Sequence, residues 1–244
     1  KGYNEKTGLW ELKEGVADAT AVVGTLRPGS MKIQDMPGED GTTNGTIGDE
    51  DKCIIGNVNP DFTGGFSINA RAYGFDLSAN FNFSVGNDIY NANKIEGTMT
   101  GKYQYRNMLD IMGDGKRWTN LNEDGTLCND PVKLEAMNKN TTLWSPYTKQ
   151  MILTDWAIED ASFLRLNTLS LGYTLPKNIV KKLGVNSLRF YCTMYNVFTI
   201  TGYKGFDPES DCIKKSGQES LTPGCDYSGY PRSRQYVFGL NLNF

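Results

Sequence analysis

From Phe75 to Val85 the chain alternates without a break: Phe75, Leu77, Ala79, Phe81, Phe83 and Val85 fall on every second position, with Asp76, Ser78, Asn80, Asn82 and Ser84 between them. A sustained period of two is a β-strand with one apolar and one polar face. The same residues on a helix would scatter their apolar groups around all sides. The preceding run repeats the pattern, with Phe62, Gly64, Phe66, Ile68 and Ala70 set against Ser67, Asn69 and Arg71. Only Ala72-Tyr73-Gly74 separates the two runs, which predicts a hairpin.

Three further strands are predicted: Phe163–Leu175 (FLRLNTLSLGYTL), Leu188–Thr201 (LRFYCTMYNVFTIT) and the final QYVFGLNLNF. Pro176 stops the first of these. The following PKNIVKKLG reads as one or two helical turns, with Pro176 near the start and Gly184 at the end. In the last strand Tyr236, Phe238, Leu240, Leu242 and Phe244 share one face, and Gln235, Val237, Gly239, Asn241 and Asn243 the other. The rest is irregular, apart from a short helix expected around Tyr103–Met112. The expected organisation is a loop region at 1–61, a hairpin at 62–86, a long loop at 87–162, a second hairpin at 163–201, a loop at 202–230 and a terminal strand at 231–244.

The environment of the two faces decides the fold class. No apolar run approaches the roughly 18 residues of a membrane-crossing helix, which excludes a helical membrane protein but not a β-barrel. The polar faces of the second and last strands carry Asn, Ser, Gly and Gln, with Asp76 the only charge. Small uncharged polar groups suit the hydrated interior of a membrane barrel, and apolar residues with Tyr and Phe suit a lipid-facing band. The expected fold is therefore all-β, a transmembrane antiparallel β-barrel. A soluble extracellular β-sandwich that binds carbohydrate shares the period of two and stands as the alternative. The row Tyr236, Phe238, Leu240, Leu242 and Phe244 resembles the terminal signal read by outer-membrane barrel-assembly machinery, in which the last strand is offered as an open edge for closure.

Other function classes are narrowed by composition. There are 25 Lys and Arg against 28 Asp and Glu, a formal charge of −3, so no basic excess points to nucleic acid. There is no histidine, which removes imidazole bases, triads and zinc ligands. No catalytic carboxylate pair or phosphate-cradling loop stands out. The chain reads as no enzyme.

Several stretches, in order, resemble the C-terminal part of the SusC/RagA family of TonB-dependent outer-membrane transporters. They are Pro28–Asp35 (PGSMKIQD), Ile54–Phe66 (IIGNVNPDFTGGF), Gly86–Lys94 (GNDIYNANK), Arg117–Thr119 (RWT), Trp156–Pro176, Tyr195–Glu209 (YNVFTITGYKGFDPE) and Tyr236–Phe244. The resemblance implies the last strands of a barrel of about 22 strands with an N-terminal plug, in the outer membrane of a Gram-negative bacterium. It implies nutrient import of a glycan oligomer or peptide, a SusD-like surface lipoprotein as partner, outer-membrane lipid around the wall, and TonB contacts made by the upstream part of the protein. The segments 1–61, 87–162 and 202–230 would be extracellular, and the breaks at Ala72–Gly74 and Pro176–Ser187 periplasmic turns.

Three sets of site residues follow. Asp35, Asp40, Asp49 and Asp51 crowd one loop, where oxygen ligands could hold Ca²⁺, although Pro37 and the lengthened loop spoil the usual spacing; no other cofactor is expected. Trp118, Trp144, Tyr147 and Trp156 lie in the long loop, where exposed aromatics stack on sugars or anchor partners. Cys212 and Cys225 lie in one loop with Gly217, Pro223 and Gly224 between them, and are expected to form a disulfide, with Cys53 or Cys128 as alternative partners.

Overall fold

The computed structural model describes residues 1–100, 105–147, 152–211, 223–227 and 229–244. Its strands, in chain order, are β1 (Gly2–Asn4), β2 (Leu9–Glu11), β3 (Phe62–Ala72), β4 (Phe75–Val85), β5 (Asp88–Asn91), β6 (Ile158–Asp160), β7 (Phe163–Thr174), β8 (Ser187–Thr201), β9 (Cys225–Asp226) and β10 (Gln235–Asn243). The helices are short: α1 (Thr20–Val23), α2 (Ala92–Glu96), α3 (Pro131–Met137) and α4 (Lys177–Val180). None is long and apolar enough to cross a membrane, which says nothing of crossing by strands. The chain divides into two compact units. One is Lys1–Ile55 with Asn93–Ala157, the other Gly56–Ala92 with Ile158–Phe244.

In the second unit all the long strands form one antiparallel sheet, in the order β10-β8-β7-β4-β3. The β3–β4 hairpin turns at Tyr73 and Gly74, whose φ values of 51° and 90° are the left-handed pair that a two-residue turn requires. The helical turn after β7 begins at Pro176 and ends at Gly184, with φ 72°. Register brings five strand ends together. Phe62 pairs with Val85, Ser84 with Phe163, Phe163 with Thr201, and Gln235 with Tyr195. Every long connection therefore leaves the sheet at this end, and the short turns lie at the other. The sheet is open, with β3 and β10 at its edges.

One irregularity crosses the middle of the sheet. Asn167 is an extra residue in β7 opposite β4, and β8 places Asn196 and Val197 against it. Before this bulge β7 gives Leu164 and Leu166 to the apolar face; after it, Leu169, Leu171 and Tyr173. The parity changes in sequence so that the face stays constant in space. Asn196 takes φ 51° there.

The apolar face is uncovered. Phe66, Ile68, Phe75, Leu171, Phe190, Ile200, Tyr236, Phe238, Leu240 and Leu242 are all exposed, Phe238 to 78%. Cys192 lies on this face, opposite Phe238. Rings pair across it, Phe66 on Phe81 at 4.6 Å and Phe75 on Tyr173 at 4.5 Å. A sandwich would bury these side chains against a second sheet. Each large apolar side chain left in water forgoes about 1.5–3 kcal/mol, so a face of this extent requires an apolar solvent.

The segments read as loops contain more structure than alternation could reveal. β5 pairs with β6 antiparallel and with β9 in parallel, forming a small sheet. α3 starts at Asp130, whose carboxylate accepts from Val132 N and Lys133 N, with Pro131 in the first turn. The helix expected around Tyr103–Met112 is replaced, among the described residues, by a single 3-10 turn at Asp110–Met112. Residues 103 and 104 of it lie outside them.

The first unit is held by backbone and side-chain to backbone bonds around a few apolar residues, such as Met112, Leu134 and Ile95. Gly29 (φ 87°) lies directly beneath Trp118, so that a Cβ there would meet the indole at 2.2 Å. Ser145 N donates to Gly29 O, and Asn120 Nδ2 to Pro28 O. The PGS and RWT stretches, far apart in the chain, thus form one contact.

Candidate functional site

The polar face of the sheet is a continuous hydrogen-bonding surface. Ser67 Oγ donates to Asn80 Oδ1 at 2.6 Å, and Ser170 and Thr193 hydroxyls meet at 3.1 Å. Near the short-turn end Arg189 of β8 reaches over β7 to Asp76 of β4, with Nε to Oδ1 at 3.0 Å and Nη2 to Oδ2 at 2.6 Å. Gly172 of β7 makes this possible. A Cβ there would stand 2.4 Å from the guanidinium and 2.6 Å from the carboxylate. In the same way Gly239 of β10 lies beneath the Tyr191 ring.

Charges gather at the loop end of this face. Arg165 of β7 is 2% exposed, and its charge is met by two carboxylates, although Nη1 and Glu209 Oε2 approach each other without hydrogen-bond geometry. Its Nη2 meets Asp207 Oδ1 at 2.6 Å, its Nη1 meets Glu209 Oε2 at 2.6 Å, and its Nε donates to Thr199 Oγ1 at 3.0 Å. Arg232, half exposed, reaches the same two acids, at 2.9 Å from Asp207 and 3.2 Å from Glu209. Asn82 Nδ2 of β4 donates to Glu209 Oε1 at 3.3 Å. Beside this node is a cleft of about 260 Å³ lined by Thr199, Phe206, Asp207, Arg232 and Arg234, among others. A surface of alternating donors and acceptors, closed at one end by a balanced charge node, can hold polar solutes and water.

Behind the node, Tyr203 Oη donates to Asp226 Oδ2 at 2.7 Å, and Ser210 Oγ donates to Oδ1 at 3.1 Å. Burial pushes the Tyr203 hydroxyl far above its usual range, and the carboxylate it donates to raises it further, so it stays a donor. Burial likewise raises Tyr90 to about 12. Lys204 N donates to Glu159, Gly86 N to Ser162 Oγ, and Asn57 N to Asp88. Four of the stretches that carried the family resemblance therefore meet at this end of the sheet.

The predicted acidic residues are not brought together as a cage. Asp35 accepts from Gly45 N, Asp40 from Thr42, Asp49 from Lys52, and Asp51 from Met36 N and Gly48 N. Among the described residues no group of three His, Cys, Asp or Glu converges as metal ligands. Asp35 and Asp51 do meet, but otherwise the carboxylates bond separately to donors of their own loop, and the backbone N–H groups of Gly48 and Met36 hold Asp51 below the usual carboxylate range.

Of the aromatic set, Trp118 packs on Gly29, and Trp144 and Trp156 meet edge to face at 4.5 Å. Lys94 Nζ lies 4.3 Å over the Trp156 ring and donates to its carbonyl. Tyr147 is half exposed. Cys212 lies outside the described residues. Cys225 lies in β9, and Cys128 is buried. Tyr236, Phe238, Leu240 and Leu242 form the outer apolar row of edge strand β10, with Phe244 exposed just beyond it. The charge node was missed from sequence. Its signal was Arg165, a lone charge on the strand face that also carries Thr168, Ser170 and Thr174, together with the paired acids of FDPE.

An antiparallel sheet whose bare face is aromatic and apolar, and whose other face is polar, has the two-faced pattern that membrane β-barrel walls show. Comparison with known proteins narrows it. The chain is 32% identical to TonB-dependent receptor P3 of Formosa agariphila over 244 residues, all of this chain and 22% of that protein. It is 27% identical to the TonB-dependent receptor SusC of Bacteroides thetaiotaomicron over 82% of this chain and 17% of that protein. The RagAB peptide importer in its closed-closed state matches with a TM-score of 0.62 at 29% identity, over 86% of this chain and 21% of that one. No protein-family model matches. The chain spans about a fifth of the length of the curated relatives it matches. It is thus similar to part of proteins named TonB-dependent receptors, SusC among them, and to part of the RagAB peptide importer.

Proposed function

We propose that the chain is the C-terminal wall of a plugged barrel of about 22 strands, which imports a glycan oligomer or a peptide across the outer membrane. The observation that carries this reading is the two-faced sheet with every long connection at one end. In the import reading the apolar face meets lipid, the polar face lines the passage, and the long-connection end faces outward. Segments 1–61, 87–162 and 202–230 then carry the surface on which a SusD-like lipoprotein docks, with Tyr147 an exposed aromatic anchor. The turns at Tyr73-Gly74 and 175–186 face the periplasm. Energy comes from TonB through the upstream part of the protein. The edge row Tyr236, Phe238, Leu240, Leu242 and Phe244 serves barrel assembly and closure.

The test is a crosslinking map of the intact receptor in native outer membrane. A lipoprotein crosslinked to at least one of the three loop segments, with a stable contact above roughly 1,000 Å², supports the reading. A lipoprotein present but touching none of them overturns the assignment of the loops. If no lipoprotein co-purifies, the receptor works alone and the lid part of the mechanism falls.

A further inference from the structure

We propose that Arg165, Asp207, Glu209 and Arg232 are positioning residues that lock two segments, 203–209 and 231–234, to each other across the loop end of the polar face. A guanidinium as buried as Arg165 is costly unless its charge is matched. Asp207 and Glu209 match it, each at 2.6 Å. They also overshoot, since two carboxylates against one guanidinium leave an excess negative charge beside β7. Arg232 removes that excess by contacting both acids. The node is neutral only with all four members present, so neither segment can leave without uncovering charge.

Other bonds aim the parts. Asn196, turned to φ 51° in the β8 bulge, donates its amide to the carbonyls of Arg232 and Ser233 at 3.1 and 3.4 Å. Thr199 orients Arg165, Asn82 orients Glu209, and Glu209 N donates to Asp207 Oδ1. The pairing of β7 with β8 is already fixed by their backbone ladder, so the charges act on irregular chain, which Asn196 holds at 232–233 and Tyr203 and Lys204 anchor at the start of 203–209. Arg232 is the half-exposed member and the releasable side, whereas Arg165 is built into the wall. This deepens the import reading, on which it rests only in one respect: there the two segments frame the mouth of the passage, and their fixed position sets the shape of the capture surface.

Hydrogen exchange on the intact receptor, purified in detergent, tests the lock. In Arg232→Gln the amides of 203–209 and 231–234 should together exchange about tenfold faster, while those of β7 and β8 change less than about twofold. Asp207→Asn should loosen the same two segments, and Arg232→Lys, which keeps the charge but not the fork, should fall between. Loosening confined to the mutated segment, or none, overturns the proposal. Should Arg232→Gln fail to assemble, the milder Arg232→Lys carries the same two-segment criterion. Failure of the import reading is visible separately, as a receptor that is not recovered in the outer membrane, and leaves the exchange result standing.

Discussion

In the five-stranded sheet the large apolar side chains lie exposed on one face and the small polar ones line the other, whereas the unit of Lys1–Ile55 and Asn93–Ala157 is built the other way. There Met112 and Leu134 are inside, and carboxylates such as Asp40 and Asp124 are on the surface, each held below its usual range by hydrogen bonds from a threonine two residues on. The same chain therefore obeys two solvents. Hydrocarbon takes apolar surface at no cost and punishes charge, while water does the reverse. The difference also appears in what holds each region. Regular backbone ladders fix the sheet, whereas irregular backbone bonds such as Trp118 N to Leu143 O, together with side-chain bonds to backbone, fix the first unit.

The comparison breaks most readily at Leu171, exposed in the middle of the apolar face. Leu171→Lys in the intact receptor should destabilise the assembled barrel by about 2–4 kcal/mol, the cost of a cation on a lipid-facing strand. Thr168→Lys, on the polar face of the same strand, should cost far less. Urea titration in lipid vesicles checks both, and equal effects would mean that both faces meet water.

The polar face has its own weak point at Gly172. Gly172→Ala places a methyl group where Arg189 forks onto Asp76. The bridge should open, at about 1–3 kcal/mol for the charged groups left unpaired, read in the same titration. In the first unit Gly29→Ala should cost about 1–2 kcal/mol for a left-handed residue, plus the displacement of Trp118. Faster amide exchange confined to Ser145 and its neighbours, with unchanged barrel assembly, is the expected result.

The smallest effect concerns acid. Asp51 has its pKa lowered in the folded state, so its contribution is present above the ordinary carboxylate pKa of about 3.9 and is lost as pH falls through the lower folded value. Protection of the Gly48 and Met36 amides, which donate to it, should drop only in that acid range. Asp51→Asn should mimic the loss at neutral pH.

Alternation made the sheet legible because each residue of a two-faced strand reports its solvent. The five long strands occur where Phe62–Ala70, Phe75–Val85, Phe163–Leu175, Leu188–Thr201 and Gln235–Phe244 showed it. The bulge was written as well, in the step from Leu164 and Leu166 to Leu169 and Leu171, but read as uninterrupted strand. The first unit was opaque because contacts such as Trp118 on Gly29 join distant residues with no periodicity between them. β5, β6 and β9 are too short to establish a period. The charge node was hidden for the same reason: Arg165, Asp207 and Arg232 belong to separate segments that only the register of β7, β8 and β10 brings together.

The central claim is that the two faces of the sheet meet different solvents, and a spin-label scan tests it most directly. In a cysteine-free background of the intact receptor in lipid bilayers, single labels at Phe66, Leu171, Phe238 and Leu240 should be accessible to oxygen and shielded from a water-soluble nickel chelate. Labels at Ser67, Asn80, Thr168 and Asn241 should show the opposite, giving a period of two along each strand. Equal chelate access on both faces would contradict the account.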